Sequence, residues 1–163
     1  MKKLLGIGIS VGVLAGIWTQ VSIELTLITW VGFIAWACYF AAGGGREGFQ
    51  KGLAANLAGA LWGFGASLVL TYATFTGAVA LVVTVVALIL CLQAAVDLLS
   101  FIPGAFAGTA VIFGTSFDLG GTLIALVVGA CLGWLSDIVS RRIQAAVDRS
   151  GQPLSSAARS SSA

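Results

Sequence analysis

The residues of this chain that could do chemistry are few and far apart. Gln20 is followed four residues later by Glu24, and Gln93 four residues later by Asp97. A carboxamide offers two donors and an acceptor. Set beside a carboxylate, it could form the mouth of a path that gathers a small polar or cationic solute. Phe33 with Phe40, and Phe106 with Phe113, stand seven residues apart in each pair and would supply apolar constrictions between two such mouths. Plainer roles compete with each of these. A carboxylate just before a helix complements the helix dipole, a phenylalanine on a buried face is core packing, and a membrane glutamine can make an ordinary interhelical hydrogen bond.

The remaining polar groups inside apolar runs are Asn56, Ser10, Ser67, Thr84 and Thr109. The four hydroxyls can return a hydrogen bond to their own helix and are expected to be structural. There is no histidine, and Cys38, Cys91 and Cys131 lie singly in apolar sequence without a second ligand at metal spacing. No nucleophile–base set or cofactor fingerprint accompanies them, so the expectation is no enzyme, no metal and no cofactor.

Composition fixes the solvent. Of 163 residues, 59% are hydrophobic and 9% charged, and mean hydropathy is +1.06. A soluble domain has about a quarter of its residues charged. A soluble enzyme, a nucleic-acid binder and a disordered chain are therefore excluded, and an integral membrane protein with the lipid bilayer as its partner remains.

About 20 apolar residues cross a bilayer as a helix. The runs predict spans at roughly Leu4–Gln20, Leu25–Ala42, Gly52–Tyr72, Gly77–Gln93, Phe101–Gly114 and Leu119–Ser140. The fifth is the shortest and could be re-entrant. Charge decides for six crossings. With the N-terminus inside, Lys2, Lys3, Arg46, Lys51, Arg141, Arg142, Arg149 and Arg159 all fall on the inner side, as the positive-inside rule requires. Both termini are then cytoplasmic. The run after Lys3 resembles a signal peptide but lacks a small-x-small cleavage site, so it is expected to stay as the first span. The transmembrane domain is expected over residues 1–147, with a disordered cytoplasmic tail over 148–163.

A repeat underlies the spans. Shifted by 73 residues, Gln20 falls on Gln93, Glu24 on Asp97, Phe33 on Phe106 and Phe40 on Phe113; beyond the next loop the offset is 70, and Gly59 and Gly63 meet Gly129 and Gly133. Two units, about 4–72 and 77–140, each hold three spans. An odd number inverts the second copy, so the expected fold is all-α, a polytopic membrane protein of six transmembrane helices in two inverted three-helix repeats. Such architecture points to a channel or simple permease for a small polar or cationic solute. The alternative is a structural or accessory membrane protein that transports nothing. Gly8, Gly12 and Gly16, Gly59 and Gly63, Gly104 and Gly108, and Gly129 and Gly133 recur every four residues on helix faces. They are expected to permit close packing within the chain, with a homo-oligomer as the alternative use.

Gly16-Ile17-Trp18, Trp30-Val31-Gly32-Phe33, Tyr39-Phe40-Ala41 and Ser100-Phe101-Ile102-Pro103-Gly104, with Phe106 and Gly108, form a recognisable set. Over about residues 4–135 the chain resembles the YcdZ-type family of small bacterial inner-membrane proteins, a domain of unknown function. The resemblance implies a bacterial inner-membrane location. It implies no substrate and no site residue, and Glu24 and Asp97 lie outside its motifs.

Overall fold

Long apolar runs with glycine-rich breaks can satisfy their backbone inside a membrane only as helices. In the computed structural model, which describes the backbone of residues 2–150 and the side chains of 6–146, every regular element is helical. The helices are α1 (Lys2–Glu24), α2 (Thr29–Ala41), α3 (Gly45–Tyr72), α4 (Ala78–Leu92), α5 (Ile102–Gly114) and α6 (Leu119–Ser150). Two 3₁₀ turns, Gln93–Ala95 and Asp97–Leu99, link α4 to α5. Helix α6 runs on through 148–150, where the tail was expected to begin, and the rest of that tail lies outside the described residues.

Among the described residues, four helical stretches are long and apolar enough to cross a membrane: Gly6–Glu24, Gly45–Tyr72, Ala78–Ala95 and Leu119–Ala146. The helices at the second and fifth predicted spans are apolar but shorter. Helices α2 and α5 have 13 residues each, about 20 Å at 1.5 Å per residue. The second span loses Leu25–Ile28 because α1 ends in a Schellman turn. Leu27 N–H donates to Ser22 and Thr26 N–H to Ile23, with Thr26 at φ 53°.

The two short helices share more than their length. Each opens on two amides donating to one carbonyl: Val31 and Gly32 to Ile28, Gly104 and Ala105 to Phe101. Each closes on the same three bonds: Ala42 to Cys38, Gly43 to Phe40 and Gly44 to Tyr39, matched by Thr115 to Val111, Ser116 to Phe113 and Phe117 to Ile112. Left-handed backbone falls at Gly43 and Gly44 in one exit and at Ser116 and Phe117 in the other. Every one of these pairs is 73 residues apart.

Packing follows the same pairing. A Cβ added to Gly59 on α3 would strike the carbonyl of Ala105 on α5, and one added to Gly129 on α6 would strike the carbonyl of Gly32 on α2. Gly63 lies against Ile112, and Gly133 against the ring of Tyr39. Gly108 meets the backbone of Asn56, and Gly104 the ring of Phe101. Around these contacts Val31, Ala35, Ala60, Val111, Ile112, Ala125 and Leu126 form an apolar core. The α1 stripe departs from the expectation. Gly8, Gly12 and Gly16 have nothing within 4 Å, because α1 turns Ser10 and Trp18 to the bundle instead. On α4, Val79, Leu81, Val83, Val85 and Leu88 point outward, in keeping with a lipid-facing helix.

The chain alternates between two faces. One gathers the start of α1 (Gly6 beside Ser140), the start of α3 (Gly45 bonded to Asp137) and the turn before α5 (Asp97 paired with Lys51). Arg46, Lys51, Arg141 and Arg142 all belong to it, and it is called the basic face below. The opposite face holds Ser22 bonded to Thr29 at 2.6 Å and Thr115 bonded to Thr122 at 2.8 Å.

Candidate functional site

A polar side chain in a membrane interior needs a partner or a purpose. Most here have partners. Ser10 donates to the Ser136 carbonyl, Thr109 to the Gly59 carbonyl and Trp36 Nε1 to the Ser136 hydroxyl. Asn56 stands out because both of its polar atoms lack a partner. It lies on the buried stripe of α3 with Gly52, Ala55, Gly59, Ala60 and Gly63, and it is fully buried. Neither its Oδ1 nor its Nδ2 makes a hydrogen bond. The position is framed by both halves of the chain. A Cβ on Gly104 of α5 would sit 3.1 Å from Oδ1, and the Cys38 thiol of α2 lies within interaction range of the amide without normal hydrogen-bond geometry.

Leaving such an amide unpaired costs about 1–3 kcal/mol. Packing alone does not require it. At the matching place on α6, 70 residues on, the chain uses Leu126, packed with Val31, Ala35 and Val111. Leucine has the same branched outline as asparagine without its polar atoms. An amide kept where leucine would fit is a candidate binding group, offering a donor and an acceptor at the contact of α3 with α5.

The residues singled out from the sequence do not converge there. Gln20 donates to Glu24 at 2.9 Å along the exposed end of α1. Asp97 pairs with Lys51 at 2.9 Å, and Lys51 also holds Glu47. Gln93 Oε1 accepts from Trp62 Nε1 at 3.0 Å, while its Nε2 is unpaired. Phe40, Phe106 and Phe113 are 38%, 43% and 38% exposed, which places them on the outer surface rather than around an interior slot. Phe33 stacks on Trp36 with centroids 6.2 Å apart. Phe106 and Phe113 line an apolar groove of about 550 Å³ beside α4, together with Val79, Val83 and Leu90.

One network escaped the sequence reading. Tyr39 on α2 donates to Asp137 on α6 at 2.9 Å and accepts from Gly45 N–H, at the start of α3, at 2.7 Å. Arg141 grips the same carboxylate through Nε at 3.1 Å and Nη2 at 2.7 Å. The signal for half of it was present, since Asp137 and Arg141 stand four apart on one helix. Tyr39 is tied in only by the fold. Tyr39→Phe removes the hydroxyl's bond to the Asp137 carboxylate and leaves Gly45 N–H only its longer bond to Asp137 at 3.3 Å, and a loss of about 1.5–3 kcal/mol is expected for a bond to a charged group. Thermal unfolding in detergent checks it.

Helices too apolar for water, joined through glycine contacts and ringed by exposed Leu, Val and Ile side chains, define an all-α integral membrane protein. Within that class the chain belongs to the family described as protein of unknown function (DUF1097), whose model matches residues 8–141. It is 33% identical over 161 residues to the uncharacterized protein YahC of Escherichia coli (strain K12), covering 91% of this chain and 98% of that one. It is 36% identical over 140 residues to the inner membrane protein YcdZ of the same organism, covering 82% of this chain and 83% of the relative. The inner membrane protein YcdZ of Salmonella typhimurium is 35% identical over 140 residues, with 82% and 85% covered. The resemblance carried by Trp30–Phe33 and Ser100–Gly104 is thereby borne out. No solved structure matches the chain.

Proposed function

We propose that the chain is a multi-pass inner-membrane permease in which two inverted three-helix units, about 4–72 and 77–140, pass a small polar solute between them. The single observation that carries transport is Asn56, an amide buried without a partner between α3 of one unit and α5 of the other. Inverted-repeat transporters hold their solute at that kind of interface. The repeat itself is supported by the shared caps, exits and glycine contacts of α2 with α6 and of α5 with α3. Location is supported by the names of the relatives, and orientation by the cations on the basic face, which is read as cytoplasmic.

The solute is read as neutral and hydrogen-bonding. Asn56 supplies no charge, and a bare ion needs a ring of carbonyl or charged ligands. Because Gly59 and Gly129 close the interface, passage requires the units to move against each other rather than a standing pore. No catalytic step belongs to this reading. The same closed contacts favour a second one, a structural or accessory protein held rigid by them.

Flux into liposomes decides between the two. Purified protein is tested on small amides, amines, polyols and monovalent cations, alongside Asn56→Leu. Transport predicts flux of at least one solute that the variant abolishes; folded protein passing none of them leaves the accessory role. The topology has its own check. Reporters fused after Lys51 and after Arg142 are expected in the cytoplasm, and one in the 74–77 loop in the periplasm. A periplasmic signal after Arg142 would remove the α5 crossing and the inversion with it.

A further inference from the structure

The basic face has more positive charge than its own carboxylates absorb. Asp137 is fully engaged by Arg141, Tyr39 and Gly45 N–H. Glu47 and Asp97 are both held by Lys51. Arg46 and Arg142 are left without a carboxylate partner among the described residues. These two arginines line one cleft of about 380 Å³, together with Arg141, Asp137, Trp134 and Ile138.

The cleft has two chemistries in a fixed order. Trp134, Ile138 and Arg142 follow one another at four-residue spacing, so they form a stripe along α6 from the apolar belt to the basic end. Trp134 rests on Phe49 with ring centroids 5.3 Å apart, and its outer side stays half exposed. A tryptophan at the edge of an apolar belt sits at headgroup level. A ligand for this cleft therefore needs a negative head for Arg46 and Arg142 and an apolar body for Trp134 and Ile138.

We infer that the cleft is a binding site for the phosphate headgroup of an anionic glycerophospholipid, with its glycerol and upper acyl chain lying along Trp134 and Ile138. Free phosphate would use the arginines and leave the aromatic flank idle. Basic pockets between membrane helices are suited to anionic headgroups, because guanidinium forks match phosphate oxygens and the adjoining belt accepts the chains. The inference goes beyond transport and needs only that the basic face lies at a bilayer surface, so it survives or falls separately from the permease reading.

The test is native mass spectrometry of the full chain in detergent, titrated with dioleoylphosphatidylglycerol or dioleoylphosphatidylcholine. One basic residue near an anionic surface is worth about fivefold in affinity, so two unpaired arginines predict roughly a twenty-fivefold preference for phosphatidylglycerol. Arg46→Gln and Arg142→Gln should each reduce that preference about fivefold. Lys51→Gln combined with Glu47→Gln and Asp97→Asn removes the neighbouring cation together with the two carboxylates it holds, all outside the cleft, and should leave the preference unchanged. Equal binding of both lipids would overturn the site. So would a change in that triple variant as large as in the arginine variants, which would mark diffuse surface charge. Displacement of phosphatidylglycerol by millimolar inorganic phosphate would overturn the lipid assignment.

Discussion

Gly59→Leu and Gly129→Leu are each expected to prevent a stable fold, and even the alanine variants are expected to cost about 3 kcal/mol or more, at the top of the overpacking range. Overpacking in a core usually costs about 1–3 kcal/mol, because neighbouring side chains rotate or shift to make room. Here they cannot. The atom that a new Cβ would meet is a backbone carbonyl in both cases, Ala105 opposite Gly59 and Gly32 opposite Gly129. Relief requires the helices to separate, and every contact along the α3–α5 or α2–α6 seam is lost together. The two positions should respond alike, since they hold matching places in the two halves. Gly12→Leu and Gly16→Leu are the controls, because those positions meet nothing within 4 Å. Thermal unfolding in detergent, with the monodisperse fraction on gel filtration, measures all of them. Tolerance of Gly59→Leu would mean that the α3–α5 seam is not the close contact described.

The same glycines show how far the sequence could be read. A four-residue glycine spacing marks a helix face that permits close approach, and α1, α3 and α6 carry the same mark. What separates them is which helix arrives opposite, and that is decided by chain segments far away. The stripe on α3 meets α5 and the stripe on α6 meets α2, while α1 turns Gly8, Gly12 and Gly16 away from the bundle. Helix ends were harder to read than helix bodies. Hydropathy runs unbroken through Leu25 and Leu27, and the turn between them is made by Thr26 in a conformation usually left to glycine. At the exit of α5, Ser116 and Phe117 adopt the left-handed backbone that Gly43 and Gly44 adopt at the exit of α2, so sequence punctuation is weaker there.

Polar pairs were legible in the sequence, and their partners only partly so. Gln20 and Glu24 stand one helical turn apart and bond each other. Asp97 found its cation on α3, in Lys51, across a gap that no local pattern reveals. Asn56 was visible as one of several polar groups in apolar runs. Its isolation depends on Gly104 of α5 and Cys38 of α2, which approach the amide without giving it a hydrogen bond of normal geometry.

That isolation gives Asn56→Leu two expected effects of opposite sign. Stability should be unchanged or rise, by as much as about 1–3 kcal/mol, because the variant removes two buried polar atoms that bond nothing and keeps the branched outline. The chain already accepts leucine at the corresponding place on α6, where Leu126 is fully buried. Flux should be lost, because the replacement has no donor or acceptor to exchange for the hydration of a polar solute. Gains in stability at the expense of activity are the mark of a group retained for function rather than folding. Asn56→Ala separates polarity from shape: it also removes the amide but leaves a void, so it should lose flux and stability together. Unfolding in detergent and flux in liposomes, measured on the same preparations, give both readouts. A destabilised Asn56→Leu that still transports would make the amide a packing residue, and the solute would have to cross somewhere other than the α3–α5 contact.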